Sequence, residues 1–204
     1  KKGKQEVGVE KFSALRTLSA INESDICCLL IDATELRNRF DQNLAGEIKE
    51  AGKGLIFVVS KWDLTEKTAD EIIATLRADF NFAPFAPVIF TSAVSGKNVT
   101  KILELSETIM VNRNRQIKTS ELNEILRKAV SGHPPSGLKN THPRLRYCVQ
   151  TDTSPPWFVI YGSNLKLIHW GYVRYLERIF REHFDFTGTP IEFTFRERED
   201  KPQA

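Results

Sequence analysis

The chain has 204 residues and a mass of 23.3 kDa, with 29 Lys+Arg against 26 Asp+Glu, a formal charge of +3 and a pI near 8.7. At 41% hydrophobic and 27% charged, with 11 Gly and 9 Pro, it reads as one large or two modest soluble domains, and disorder and collagen-like repeats are excluded. No apolar run approaches the ~20 residues that span a bilayer, which argues against a membrane protein, and Lys1-Lys2-Gly3-Lys4 leads into polar sequence unlike a secretory signal.

Val9, Phe12, Leu15, Leu18 and Ile21 recur every three residues and predict a first helix. The run Ile26-Cys27-Cys28-Leu29-Leu30-Ile31 is apolar throughout, as expected of a parallel strand covered on both faces, with its two Cys as small core residues. Residues 41–50 predict a second helix, stopped by Gly52 and Gly54. Residues 55–59 predict a second buried strand, and 66–79 a helix with Ile72, Ile73 and Leu76 on one side. Residues 87–90 predict a third strand, and 99–113 a helix with Ile102, Leu105 and Ile109 facing in. Strand alternating with helix is the pattern of half a doubly wound parallel sheet, an α/β fold.

The second half has another rhythm. A helix opens at Thr119 and carries Leu122, Ile125, Leu126 and Val130, and the loop Ser131-Gly132-His133-Pro134-Pro135 follows. Strands are expected at 145–151 and 157–161, then a helix over 168–184 with Val173, Leu176, Ile179, Phe180 and Phe184 inward. Residues 191–196 alternate as a strand with one wet face, completing a compact α+β unit. Trp157 and Trp170 are read as core or interface. Residues 1–117 carry 16 basic and 16 acidic side chains, whereas 118–199 carry 12 and 9, so the positive excess lies in the second half and hints at a polyanion-facing module there. Three Cys, with no CxxC and no Cys/His pair at ligand spacing, suit a reducing, cytoplasmic compartment and predict no metal site.

In open parallel sheets, ligands bind beyond the carboxyl ends of the strands. Ser60-Lys61-Trp62-Asp63 follows the second strand, and Thr91-Ser92-Ala93-Val94-Ser95-Gly96 follows the third. The pair resembles the guanine-recognition motifs of P-loop GTPases, Asn-Lys-x-Asp and Ser-Ala. Asp63 could accept two hydrogen bonds from the guanine N1 and N2 donors, which adenine does not present together. The Lys61 stem could lie along the base, and the Ala93 N–H could donate to O6. Ser60 stands where the motif has Asn, and its shorter hydroxyl can make only part of the amide's bonds. Alternatively, Lys-x-Asp after a strand serves as a loop and helix cap. The sequence contains no GxxxxGK[ST] phosphate loop, and the metal-facing Asp-x-x-Gly of the switch is missing, so the chain is expected to begin inside the second switch and, alone, to be unable to hydrolyse GTP.

Further stretches sharpen the resemblance. They are Lys11-Phe12-Ser13-Ala14-Leu15-Arg16-Thr17-Leu18, Ile31-Asp32-Ala33-Thr34 and Ala51-Gly52-Lys53-Gly54, then His133-Pro134-Pro135, Pro143-Arg144-Leu145-Arg146-Tyr147, Pro155-Pro156, Arg174-Tyr175-Leu176-Glu177 and Gly188-Thr189-Pro190-Ile191. With these, the chain resembles the C-terminal part of the EngA/Der ribosome-assembly GTPases, which carry two G domains and a KH-like domain. The resemblance implies the distal part of a G domain over 1–115 and a KH-like domain over 116–200. It implies GTP/GDP as ligand, with Mg²⁺ held in the intact protein by residues outside this chain. It implies a role in large-subunit (50S) assembly, with rRNA and the preceding G domain(s) as partners. A KH domain clamps RNA with Gly-x-x-Gly, but Gly162-Ser163-Asn164-Leu165 lacks the second Gly. RNA contact would then fall to Lys139, Arg144, Arg146, Lys166 and Arg174. The alternative is a non-catalytic rRNA-binding module in which Ser60 marks a decayed nucleotide pocket.

Overall fold

A computed structural model describes residues 15–138 and 141–197. The expected second-switch segment and the Val9 and Phe12 end of the first stripe lie outside the described residues. The chain forms two compact units: the described residues through Val111 together with Thr187–Pro190, and then Asn112–Phe186 with the residues from Ile191 on.

The first unit contains α1 (15–23), β1 (Ile26–Asp32), α2 (Arg39–Glu50), β2 (Gly54–Ser60), a 3₁₀ turn (Trp62–Leu64), α3 (Ala69–Asp79), β3 (Val88–Phe90) and all but the last two residues of α4 (Lys101–Arg113). The strands run parallel in the order β1-β2-β3. Leu29, Ile31, Leu55, Phe57 and Val59 pack on one face against Ala45 and Ile48 of α2 and Ile72 and Leu76 of α3. On the other face Ile56 and Val58 meet Ile109 of α4. Helices on both faces make this half of a doubly wound sheet. Helix α3 starts later than its apolar pattern suggests, because Thr68 and Glu71 form a reciprocal capping box: the Thr68 hydroxyl accepts from the Glu71 N–H at 3.3 Å and the Glu71 carboxylate accepts from the Thr68 N–H at 2.8 Å.

Strand β1 departs from expectation. Leu29 and Ile31 are buried, but Cys28 and Leu30 are exposed, Leu30 by 63%. Cys28 is therefore not core. The strand has period-two burial because only one of its faces is fully covered among the described residues.

The second unit contains α5 (Thr119–Gly132), β4 (Arg144–Thr153), β5 (Pro156–Ser163), a 3₁₀ turn (Leu165–Leu167), α6 (Trp170–His183) and β6 (Glu192–Glu197). β4 and β5 are antiparallel, and β6 joins β5 in parallel after the α6 crossover. Leu122, Ile125 and Leu126 of α5 close over Phe158 and Ile160 of β5 and Leu176 and Phe180 of α6. The inner face of α6 also takes Tyr172, which its phenol hides from a purely apolar count, while Val173 and Ile179 are half-buried. Trp170 is not core: it is 61% exposed, and Trp157 is 39% exposed with its indole N–H donated to Thr194 Oγ1 at 2.8 Å.

Gly188, in the segment that counts with the first unit, has φ +77°. Its carbonyl accepts from Leu55 N–H and its own N–H donates to Phe85 O, at 2.9 and 2.8 Å. A Cβ there would stand 2.2 Å from Ile109 Cγ1, and Ile109 is fully buried with nowhere to retreat. Gly188→Ala is expected to destabilise the first unit by about 2–4 kcal/mol, a left-handed penalty plus overpacking, measured by denaturant unfolding followed with probes in each unit.

Candidate functional site

The ends of the three parallel strands bring the sequence-predicted residues to one edge of the sheet. Asp32 is in register with Ser60, and Val59 with Phe90, so the loops that leave β2 and β3 are neighbours. Lys61 adopts a left-handed conformation, φ 54° and ψ 35°, uncommon for a residue with a Cβ. That single residue turns the chain out of the strand into the 3₁₀ turn that carries Asp63. The Trp62 N–H then donates to Thr91 O at 3.1 Å, and its ring lies 4.6 Å from Phe90, which fastens the first loop to the second.

The second loop is held from inside. Thr91 and Ser92 are buried, the Thr91 N–H donates to Val59 O at 2.8 Å, and the Ser92 N–H donates to Lys97 O at 3.3 Å. Ser92 Oγ accepts from the Ser95 N–H at 3.3 Å, and Asn98 Nδ2 donates to Phe90 O at 2.9 Å. Ala93 sits exposed at the apex of this frame. The Asp63 carboxylate is exposed as well, and it has no hydrogen-bond or ion-pair partner among the described residues. Its oxygens are thus open to an incoming donor pair.

Ser60 and Lys61 are occupied differently. The Ser60 hydroxyl donates to Ile31 O at 3.2 Å, closing the end of β2 onto β1. Lys61 Nζ lies 2.6 Å from Asp32 Oδ2. The same Asp32 carboxylate accepts from the Thr34 N–H and hydroxyl at 2.9 and 2.7 Å. The Lys61 hydrogen bond first, and then the two from Thr34, hold the Asp32 carboxyl down at about 2, and Asp32 in turn raises the Lys61 amine. Sequence reasoning gave Asp32 no role. The available signal was an acid at the last position of a strand whose neighbour ends in Ser-Lys.

The described basic residues that sequence reasoning selected in the second unit lie on three elements, β4, the second 3₁₀ turn and α6. Lys139 lies outside the described residues. Arg144 and Arg146 are exposed on β4, on either side of buried Leu145. Arg144 is in register with Ser163, and Gly162 is required there because a Cβ would meet the Arg144 carbonyl oxygen at 1.9 Å. The Gly162-Ser163-Asn164-Leu165 stretch leaves β5 for the 3₁₀ turn at Asn164, which is left-handed with φ 57°. Lys166 is exposed on the following 3₁₀ turn, and Arg174 on α6 stacks over the Trp170 ring at 4.7 Å. Among the described residues, no group of three or more His, Cys, Asp or Glu could hold a metal ion, and no helix is long and apolar enough to cross a membrane.

Two family models match in tandem. The elongation factor Tu GTP-binding domain covers residues 7–112, and the C-terminal KH-domain-like module of EngA bacterial GTPase enzymes covers 116–196. GTPase Der of Chloroflexus aggregans is 44% identical over 205 residues, which cover 98% of this chain and 46% of that protein. GTPase Der of Herpetosiphon aurantiacus is 40% identical, covering 98% and 45%. The chain spans about half the length of the curated relatives it matches. Among solved structures, Aquifex aeolicus Era bound to GDP and aluminium fluoride aligns with 90% of this chain and 69% of its own, at 19% identity and a TM-score of 0.38.

The Asp32–Lys61 pair has a defined pH window. An aspartate whose folded value is lowered from 3.8 to about 2 contributes stability above its unfolded value and loses it as the pH falls through about 2. A lysine raised from 10.5 contributes below its unfolded value and loses it as the pH rises through the still higher folded one. Carboxyl-detected NMR titration should place the Asp32 midpoint near 2, and Asp32→Asn should return the Lys61 amine toward its ordinary value.

Proposed function

The chain belongs to the EngA/Der family of GTPases, and we propose that residues 1–115 are the guanine-reading part of a G domain and residues 116–200 a KH-like domain that contacts rRNA or the other G domain. The intact protein would hydrolyse GTP to GDP and act in the cytoplasm in assembly of the large ribosomal subunit. The observation that carries the nucleotide half is the unpartnered Asp63 carboxylate, exposed on a loop that is bonded to the Ser92-Ala93 loop of the adjacent parallel strand. In this reading Asp63 accepts from guanine N1 and N2, and the Ala93 N–H donates to O6. Lys61, held by Asp32, lays its stem against the base, and Ser60 braces the loop from below through Ile31.

The chemistry of phosphoryl transfer lies elsewhere. The residues of this chain do not fit a Mg²⁺ site, because the sequence has no GxxxxGK[ST] and its one Asp-x-x-Gly, Asp185-Phe186-Thr187-Gly188, lies between α6 and β6 and not ahead of a switch helix. This chain alone is therefore proposed to be catalytically silent, with the phosphate and metal ligands supplied by preceding G-domain sequence. In the second unit, Lys139, Arg144, Arg146, Lys166 and Arg174 are the proposed rRNA contacts, acting on phosphates without sequence readout.

A second reading, a non-catalytic rRNA-binding module with a decayed pocket, is favoured by one feature: the Ser60 hydroxyl is already engaged with Ile31 and cannot reach as an Asn amide would. Nucleotide binding to the intact protein separates the two. Under the first reading, calorimetry should show GDP and GTP binding but not ATP. Asp63→Asn should weaken guanine nucleotides by roughly 30-fold or more, since a charge-assisted pair is worth about twice a neutral bond. The same variant should gain xanthine nucleotides, whose carbonyl replaces the amino donor and can accept from the new amide. Absence of guanine binding in the unsubstituted intact protein would establish the decayed pocket instead.

A further inference from the structure

Beyond the basic residues, the second unit contains a cleft of about 530 Å³ between the loop after α5 and the start of α6. That volume is in the range of small-ligand sites. We propose that this cleft receives unpaired RNA bases, with Trp170 as the outer stacking platform; the inference rests on the reading of this unit as an RNA-contacting domain.

The cleft wall is aromatic and fixed in advance. The His133 ring lies nearly parallel to Tyr172, at 17° with centroids 6.2 Å apart, and tilted on Tyr175 at 5.2 Å. Both phenols are pinned to the end of α5: the Tyr172 hydroxyl donates to His133 O and the Tyr175 hydroxyl to Ala129 O, each at 2.9 Å. Burial pushes the Tyr172 hydroxyl up to about 12, so it stays a neutral donor at physiological pH. A planar ligand therefore meets rings whose positions are already set, and little ordering cost falls on binding. Polar handles are present too, since neither the His133 ring nor the Ser136 hydroxyl has a hydrogen-bond partner among the described residues.

The rim carries the charge. Trp170 is 61% exposed between His169 and Gly171, which line the cleft, with the Arg174 guanidinium 4.7 Å above its ring. One turn on, Arg178 lies 5.7 Å over Tyr175, but its charge is matched by Glu182 at 2.7 Å. Arg174 has no acidic partner among the described residues, and no carboxylate lines the cleft. An exposed indole backed by an unmatched guanidinium, on the helix whose first turns line an acid-free aromatic slot, is complementary to a polyanion that bears flat bases. A neutral apolar peptide would satisfy the slot and leave the cation unused. Single-stranded nucleic acid satisfies both, by base stacking and by a phosphate contact.

The test uses this chain and fluorescence anisotropy with three probes of equal phosphate count: a single-stranded RNA octamer, its abasic counterpart and an RNA duplex. The octamer should bind best. Trp170→Ala should weaken it about five- to a hundredfold, the span of one lost stacking contact, and leave the abasic strand unchanged. Trp170→Phe should recover much of the loss, and circular dichroism checks that the variants at this exposed position keep the fold. If all three probes bind alike and Trp170→Ala changes nothing, while Arg144→Ala with Arg146→Ala abolishes binding, the cleft proposal fails and the RNA-contact reading stands. If the unsubstituted chain binds none of the probes, both fail.

Discussion

Strand β2 is bonded on both edges and covered on both faces, and the first unit is arranged around it. Its residues from Gly54 to Val59 are all buried, and only Ser60, at the carboxyl end, begins to emerge. A strand in that position cannot slip, because each one-residue shift would carry apolar side chains from one filled layer to the other. The register with β1 and β3 is thereby fixed, and with it the height at which all three loops leave the sheet. The left-handed Lys61 converts this rigidity into direction. Strain of that kind persists only where the surroundings over-determine it, and here the Trp62 bond to Thr91 and the Trp62–Phe90 packing do so.

The edge of the sheet then separates two kinds of polar group. Ser60, Asp32, Ser92 and Asn98 are bonded within the protein and serve to hold loops. Asp63 and the Ala93 apex are left unspent. In the proposed reading, the first kind holds the frame and the second is left for the ligand. Asp32 belongs to the first kind. By holding the Lys61 ammonium near the end of β1 it sets where the side chain stands when a base arrives, and it is a positioning residue in this reading. Because the pair is partly exposed, its value lies in geometry more than in stability.

The second unit follows the same division with different materials. Phe158, Phe180, Phe186 and Phe193 interlock at centroid distances of 5.0 to 5.9 Å and make a core that is largely aromatic. Helix α6 turns that core-facing side inward and presents Trp170, Arg174 and Arg178 outward. The two tyrosines lie between these faces, with rings toward the cleft and hydroxyls bonded to backbone, so one helix serves both packing and surface.

Much of this was legible in the residues alone. Among the described residues, period and punctuation located every strand and α-helix to within a few residues, since burial on one face of a helix or both faces of β2 leaves a direct trace in residue type. The spacing of Lys61-Trp62-Asp63 and Ser92-Ala93 after two strands singled out the loops, because strand ends are where parallel sheets place ligands. What sequence could not determine was partnership. Cys28 and Leu30 are apolar yet exposed, and Trp170 is a large aromatic yet lies on the surface, because hydrophobicity states a preference whereas cover depends on which elements arrive. Asp32 and Lys61 stand 29 positions apart, and Tyr172 is 39 from His133; only the fold brings them within bonding reach. Local pattern dictates elements through short-range sterics and burial, while pairing across such distances is decided by packing, and the site chemistry is built from those pairings.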